Sequence, residues 1–225
     1  MTGIVIAIDG PAGTGKSTVS REVARRLGLA YFDTGATYRV ATVCCLREGV
    51  DFKNHADVTA MIETMNVELI LDPGNPRVTL EGQDVSSMIR SDTVALSVSQ
   101  VSTNLDARAA LGRFQREVIA GEVAGGFSDG AGVVVEGRDI TTVIAPDADV
   151  RILMTADEEV RVARRAGDGA DAATVREAVL GRDKKDATVV NFQTAADGVV
   201  TLDTTDMTID EAVNAVIALA HEAQA

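Results

Sequence analysis

The sequence predicts an α/β fold in three layers, with a central parallel sheet between helices. Three observations carry this. Short, unbroken apolar runs alternate with stretches whose apolar residues recur at helical spacing, the pattern of strands buried on both faces. The first run leads directly into a glycine-rich turn and a helix. The antiparallel signal is confined to the middle of the chain, where it reads as an insertion.

In chain order, Ile4 to Ile8 is a continuous apolar run ending in Asp9-Gly10, a strand of a parallel sheet. From Lys16 to Leu27 the period changes. Val19, Val23, Ala24 and Leu27 share one helical face, and Glu22 and Arg26 form an i,i+4 pair on another. Gly28 stops that helix. Ala30 to Phe32 is a second strand, and a helix is expected from Ala36 to Glu48, ended by Gly49. Val67–Leu71 and Arg77–Leu80 flank the turn Asp72-Pro-Gly-Asn-Pro76, which makes a hairpin. A long helix is expected from Leu105 to about Ile119. Val133–Val135 and Val150–Leu153 then resume the buried strands. Thr155 and Glu158 have capping-box spacing ahead of a helix running to Arg165. Gly167 to Asp171 breaks it, with Gly167 and Gly169 as hinges. Thr174 to Leu180 is helical, and Val199–Leu202 is the last strand. Thr208 and Glu211 repeat the capping-box spacing before a helix whose Ala212, Val213, Val216, Ile217 and Ala220 face inward.

Composition limits the function. The 225 residues carry 21 basic and 34 acidic side chains, a formal charge of -13. Such a surface repels nucleic acid and anionic membrane, so neither is an expected partner. No stretch approaches the ~20 apolar residues that span a bilayer. With no secretory signal at the start, a cytoplasmic location is expected. Cys44 and Cys45 are adjacent in an apolar helical pattern and read as reduced core residues. CxxC and HExxH are absent, which disfavours zinc. Of the 21 basic residues, 17 are arginine, the side chain whose planar fork grips phosphate at two points.

Gly10-Pro11-Ala12-Gly13-Thr14-Gly15-Lys16-Ser17-Thr18 contains GxxxxGK[ST] between a strand and a helix. The glycines let backbone N–H groups curl around phosphate oxygens, and the helix N-terminus adds partial positive charge. Lys16 reaches the terminal phosphates, and Ser17 offers an oxygen to Mg²⁺. Binding of ATP or GTP follows. No NKxD sequence is present, so a signalling GTPase is disfavoured, and transfer of the terminal phosphoryl group remains.

Four further blocks carry a resemblance. Asp33-Thr-Gly-Ala-Thr-Tyr-Arg39, Ser99-Gln100 with Arg108 nine residues after Ser99, Val135-Glu-Gly-Arg-Asp139 and Arg182-Asp-Lys-Lys-Asp186 stand in this order. Together with the phosphate loop they resemble the bacterial cytidylate kinases, over residues 9–190. The resemblance implies a P-loop three-layer fold in which ATP phosphorylates CMP or dCMP. It divides the chain into a core of about 1–60, 104–155 and 190–225, a nucleoside-monophosphate-binding insertion with the hairpin at about 60–103, and a short helical lid at about 160–190. It implies a monomer. Thr34 would touch cytosine, Arg39 and Arg138 the acceptor phosphate, and Arg108 and Asp139 the base. Ser99, Arg182 and Asp186 would hold the ribose, and Arg161 and Arg165 share a lid face that meets the ATP phosphates. Lys16, Arg138, Arg161 and Arg182 would be the catalytic cations. Where the family's lid often continues R-D-x-x-D-x-x-R, this chain has Val189.

Two histidines in the whole chain suit such chemistry. A nucleotide phosphate is largely dianionic at neutral pH, with a second pKa of ~6, so its attack needs no general base. The alternatives are a P-loop kinase for UMP, AMP or a metabolite hydroxyl, and a nucleotide-dependent binding module without turnover.

Overall fold

The computed structural model describes residues 3–166 and 172–225. Five strands form the central sheet: β1 (Ile4–Asp9), β2 (Ala30–Asp33), β6 (Gly132–Gly137), β7 (Val150–Thr155) and β8 (Val200–Asp203). Their spatial order is β2-β6-β1-β7-β8 and every pairing is parallel. Ile6 lies opposite Val134 on one side and Val150 on the other. β3 (Val67–Ile70), β4 (Arg77–Leu80) and β5 (Gln83–Asp84) form a separate antiparallel sheet.

The period-two alternation of β1 sends its residues to two cores. Ile4, Ile6 and Ile8 pack with Val19, Val23 and Ala24 of α1 (Lys16–Leu27) and with Val213 and Val216 of α8 (Ile209–Ala223). Ala7 faces the opposite core, with Phe32, Val133 and Val135, under Ile119 of α5 (Leu105–Val123). A third cluster joins α2 (Thr34–Arg47), α3 (His55–Thr64), α4 (Asp92–Ser102) and α5 through Tyr38, Cys45, Val58, Ile62, Val98 and Leu111. Val78 and Leu80 of the small sheet pack on Val40 and Val43 of α2. The last helices before β8 are α6 (Glu158–Ala166) and α7 (Ala172–Asp186). Among the described residues, no helix is long and apolar enough to cross a membrane. Both cysteines are free and buried.

Several local expectations shift. The second helix starts at Thr34, two residues before the predicted Ala36, so the Asp33-Thr-Gly turn is its first turn. α3 and α4 are helices that the periodicity does not separate from the insertion. Thr155 does not cap α6; it is the last residue of β7, paired with Asp203, and the first helical bond runs from Arg161 N–H to the Asp157 carbonyl. The second capping box is complete: Thr208 accepts from the Glu211 amide, and Glu211 accepts from the Thr208 amide. α7 extends beyond Leu180 to Asp186, so the Arg182–Asp186 block is helical. The hinge glycines Gly167 and Gly169 lie outside the described residues.

Candidate active site

The carboxyl ends of β1, β2 and β6 open on one cleft of about 780 Å³, the usual ligand position in an open parallel sheet. Ala12 to Val19 line one end of it. Gly13 and Gly15 take φ of 85° and 93°, which side chains other than glycine rarely adopt. A Cβ on Gly13 would also lie 2.5 Å from the Arg161 carbonyl oxygen, so the loop and α6 pack backbone to backbone. The loop braces itself. Lys16 Nζ donates to the Pro11 carbonyl at 2.9 Å, and Thr14 Oγ1 donates to the same oxygen at 3.1 Å. Burial lowers the Lys16 pKa to about 8, against the raising influence of the Glu136 carboxylate. Gly10 and Pro11 sit behind the cleft wall; Gly10 is pressed against the Met154 carbonyl.

Thr34, Arg39, Arg108, Arg138 and Asp139 line the same cleft. Thr34 is buried at the start of α2 and donates its hydroxyl to the Glu136 carbonyl at 2.8 Å, which leaves its lone pairs as acceptors. Arg39 is paired with Asp33, and its Nε is buried without a partner among the described residues. Arg108, on α5, is ion-paired with Asp139, donates to the Ser102 carbonyl at 3.0 Å and stacks over the Tyr38 ring. Burial raises the Asp139 pKa; the Arg108 charge opposes that rise.

The segment that carries Arg138 and Asp139 is anchored by Asp9, at the end of β1. This buried carboxylate accepts from the Ile140 amide at 2.9 Å, the Thr141 amide at 2.8 Å and the Thr141 hydroxyl at 2.7 Å. Burial raises its pKa, and the hydrogen bonds from Thr141 and Ile140 counteract the effect. Gly137 is required here, because a Cβ would lie 2.5 Å from Thr34 Oγ1.

α6 and α7 close over the loop. Arg138 Nη1 donates to Asp183 Oδ1 at 2.7 Å, its Nε lies 3.0 Å from Asp186 Oδ2, and its guanidinium lies 4.4 Å from the Phe192 ring centre. Arg161 does not line the cleft itself. It is buried between the Ala12 carbonyl, 3.0 Å from Nη1, and Asp183. Arg164 and Arg165 do line it. Asp186 lines the cleft and accepts from Ser102 Oγ at 3.1 Å. Ser102, not the predicted Ser99, lines the cleft; Ser99 uses its carbonyl to accept from Thr103 Oγ1 at 2.7 Å. Arg182 falls on α7, but its side chain is outside the described residues. Val189 is not in the cleft wall, whereas Val190 is.

The donor set fits Mg²⁺ arriving with a nucleotide. Ser17 is exposed on the cleft wall near the Glu136 carboxylate. Glu136 is buried, also accepts from the Tyr31 hydroxyl, and has its pKa raised by burial, which the Lys16 charge opposes. Among the described residues no group of three or more His, Cys, Asp and Glu could hold a metal unaided.

Sequence reasoning misses Asp9, Glu136, Ser102 and Asp183. Asp9 immediately precedes the glycine-rich loop, Glu136 lies within Val135–Asp139, and Asp183 lies within Arg182–Asp186. Their positions are legible, while their partners, up to 171 residues away, are not.

The sequence is similar to that of proteins of one named family. The family model described as "Cytidylate kinase" matches residues 6–222. A cytidylate kinase of Streptomyces avermitilis is 40% identical over 225 residues, covering 99% of this chain and 94% of that one. One from Cutibacterium acnes is 41% identical, covering 96% and 95%. One from Nocardia farcinica is 42% identical, covering 95% and 91%. A solved structure of an uncharacterized protein from Eubacterium ventriosum is 13% identical with a TM-score of 0.50, over 97% of this chain and 98% of that one; it bears on the fold alone. With the family model matched over residues 6–222 and relatives about 40% identical along nearly its whole length, the chain belongs to the cytidylate kinase family.

Proposed function

We propose that this chain transfers the γ-phosphoryl group of ATP to CMP or dCMP, giving ADP and CDP or dCDP. One observation carries the reading. A single cleft is lined both by the phosphate loop, Ala12 to Val19, and by Thr34, Arg39, Arg108, Arg138 and Asp139. An oxygen of the acceptor phosphate attacks the γ-phosphorus in line. The bond from that phosphorus to the bridging oxygen breaks, and its electron pair leaves on the β-phosphate of ADP. No proton is abstracted, so the protein's work is placement and charge neutralisation.

Residue roles follow from position. The N–H groups of Gly13 to Thr18 and the Lys16 ammonium hold the donor phosphates. Arg39 and Arg138 meet the acceptor phosphate, and Arg161 and Arg182 come from the lid. Asp139 accepts from the exocyclic amine of cytosine while Arg108 donates to its ring acceptors, the pairing chemistry by which carboxylates select that base. Asp186 and Ser102 face the ribose. Val189 carries no charge to offer the acceptor phosphate, and Arg138, which Asp183, Asp186 and Phe192 hold rigid, serves there instead. Ser17 would hold Mg²⁺, which would supply positive charge against the donor phosphates. The antiparallel sheet and α4 form the acceptor-binding insertion at about 60–103, α6 and α7 the lid at about 160–190, and the rest the core. We place the chain in the cytoplasm, as a monomer, with small nucleotides as its ligands.

The test is ADP release across CMP, dCMP, UMP, AMP and shikimate. The reading expects kcat/KM to be highest for CMP or dCMP. A preference for any of the other three overturns it.

A further inference from the structure

Asp183 holds the centre of the site without lining the cleft in which the nucleotides would lie. Its Oδ1 accepts from the Ala12 amide at 3.2 Å and from Arg138 Nη1 at 2.7 Å; its Oδ2 accepts from Arg161 Nη1 at 2.6 Å. The residue is 6% exposed. The three partners come from three parts of the fold: the phosphate loop, the segment after β6, and α6. Arg161 Nη1 also donates to the Ala12 carbonyl, so the Ala12 peptide oxygen, Arg161, Asp183 and the Ala12 amide close a ring. Arg161 keeps a buried Nε with no partner among the described residues.

Two guanidinium groups held on one carboxylate are fixed relative to each other, and here also relative to the phosphate loop. Without that carboxylate, two like charges would share a buried space and repel. Asp186 cannot substitute. It lies about one helical turn further on, holds Arg138 through Nε, and faces Ser102 rather than the loop.

We propose that Asp183 is a positioning residue for the transfer step, setting Arg138 and Arg161 as one convergent pair against the phosphate loop, so that lid docking and acceptor alignment occur together. This rests on the proposed phosphoryl transfer. Because the carboxylate acts through the arginines, its removal should slow the chemical step more than it weakens either nucleotide.

The experiment compares wild type, Asp183→Asn, Arg161→Ala and the double variant by steady-state kinetics with ATP and CMP and by thermal unfolding. Asp183→Asn keeps the side-chain shape and removes the charge. The expected result is a fall in kcat of about 10²-fold, the scale of a misplaced reacting group, with both KM values within about threefold and a lowered Tm, as for loss of a buried charge partner, that still leaves the chain folded at the assay temperature. In the Arg161→Ala background the same substitution should cost far less, since one of the two groups it positions is gone. A kcat within about threefold of wild type overturns the inference. So does a loss that adds fully to that of Arg161→Ala, or an Asp183→Asn chain that does not fold, for either outcome makes the role structural. Wild-type turnover with CMP is scored first: failure there sinks the functional reading. The variants are then compared on whichever acceptor, or water, the wild type uses.

Discussion

The carboxylate of Asp9 and the backbone and hydroxyl of Thr141 form one buried joint, at 2.8 and 2.7 Å, two residues beyond Asp139. β1 thereby carries the phosphate loop on its own end and anchors the segment with Arg138 and Asp139 on its neighbour. Asp9→Asn replaces one acceptor oxygen with an amide that faces a donor. It should lower stability by about 1–3 kcal/mol, the cost of leaving a buried polar group unmatched. It should also reduce kcat/KM for CMP more than ATP affinity. Denaturant unfolding and kinetics at two fixed ATP levels measure both, and an unchanged midpoint would contradict the joint.

The proposed function assigns base selection to Asp139. A carboxylate only accepts hydrogen bonds, which matches the amine of cytosine and opposes the carbonyl of uracil. Asp139→Asn supplies a donor, so the ratio of kcat/KM for CMP over UMP should fall at least about fivefold, the lower end of the scale for one base-edge pair. ATP affinity should be little changed. A ratio that stays constant would remove Asp139 from the base pocket.

Lys16 has a folded-state pKa of about 8, below its ordinary 10.5, because it is buried. The free enzyme therefore loses this charge as pH rises past 8. kcat/KM for ATP, which reports the free enzyme, should fall about tenfold per unit above that point. Stability runs the other way. Between about pH 8 and 10.5 the unfolded chain binds the extra proton, so this group makes stability rise with pH. Lys16→Ala should lose several orders of magnitude in turnover, keep its fold, and lack that rise. A flat kcat/KM profile to about pH 10 contradicts the assignment.

Gly13 carries two constraints, a positive φ and the Arg161 carbonyl 2.5 Å from where a Cβ would stand. Gly13→Ala should both strain the loop and push α6 away. ATP Kd measured by titration should rise more than about tenfold, while CMP binding alone changes less. Equal weakening of both ligands would mean that the loop had collapsed rather than shifted.

The sheet is legible in the sequence because its strands are buried on both faces: Ile4–Ile8 and Val133–Val135 have no polar residue to suggest another role. The phosphate loop is legible because its glycines are tied to a local geometry. α4 is harder. Its Val94, Val98 and Val101 do recur at helical spacing, but these valines, with Thr93 before them, are β-branched and suit a strand as well. The spacing that matches Ser99 cannot show that Ser102, three residues on, faces the cleft. Asp183 reads as one more charge in Arg182-Asp-Lys-Lys-Asp186. Its importance comes from Ala12 and Arg138, brought to it only by the folded chain.

In the proposed function, donor and acceptor lie end to end in one cleft. A cytidine and an adenosine joined through their 5′ oxygens by five phosphates would span both ends at once. Titration calorimetry should give such a compound a Kd about 10²-fold or more below that of ATP or CMP alone, as expected when one molecule occupies both sites. A Kd no lower than that of ATP would contradict the arrangement.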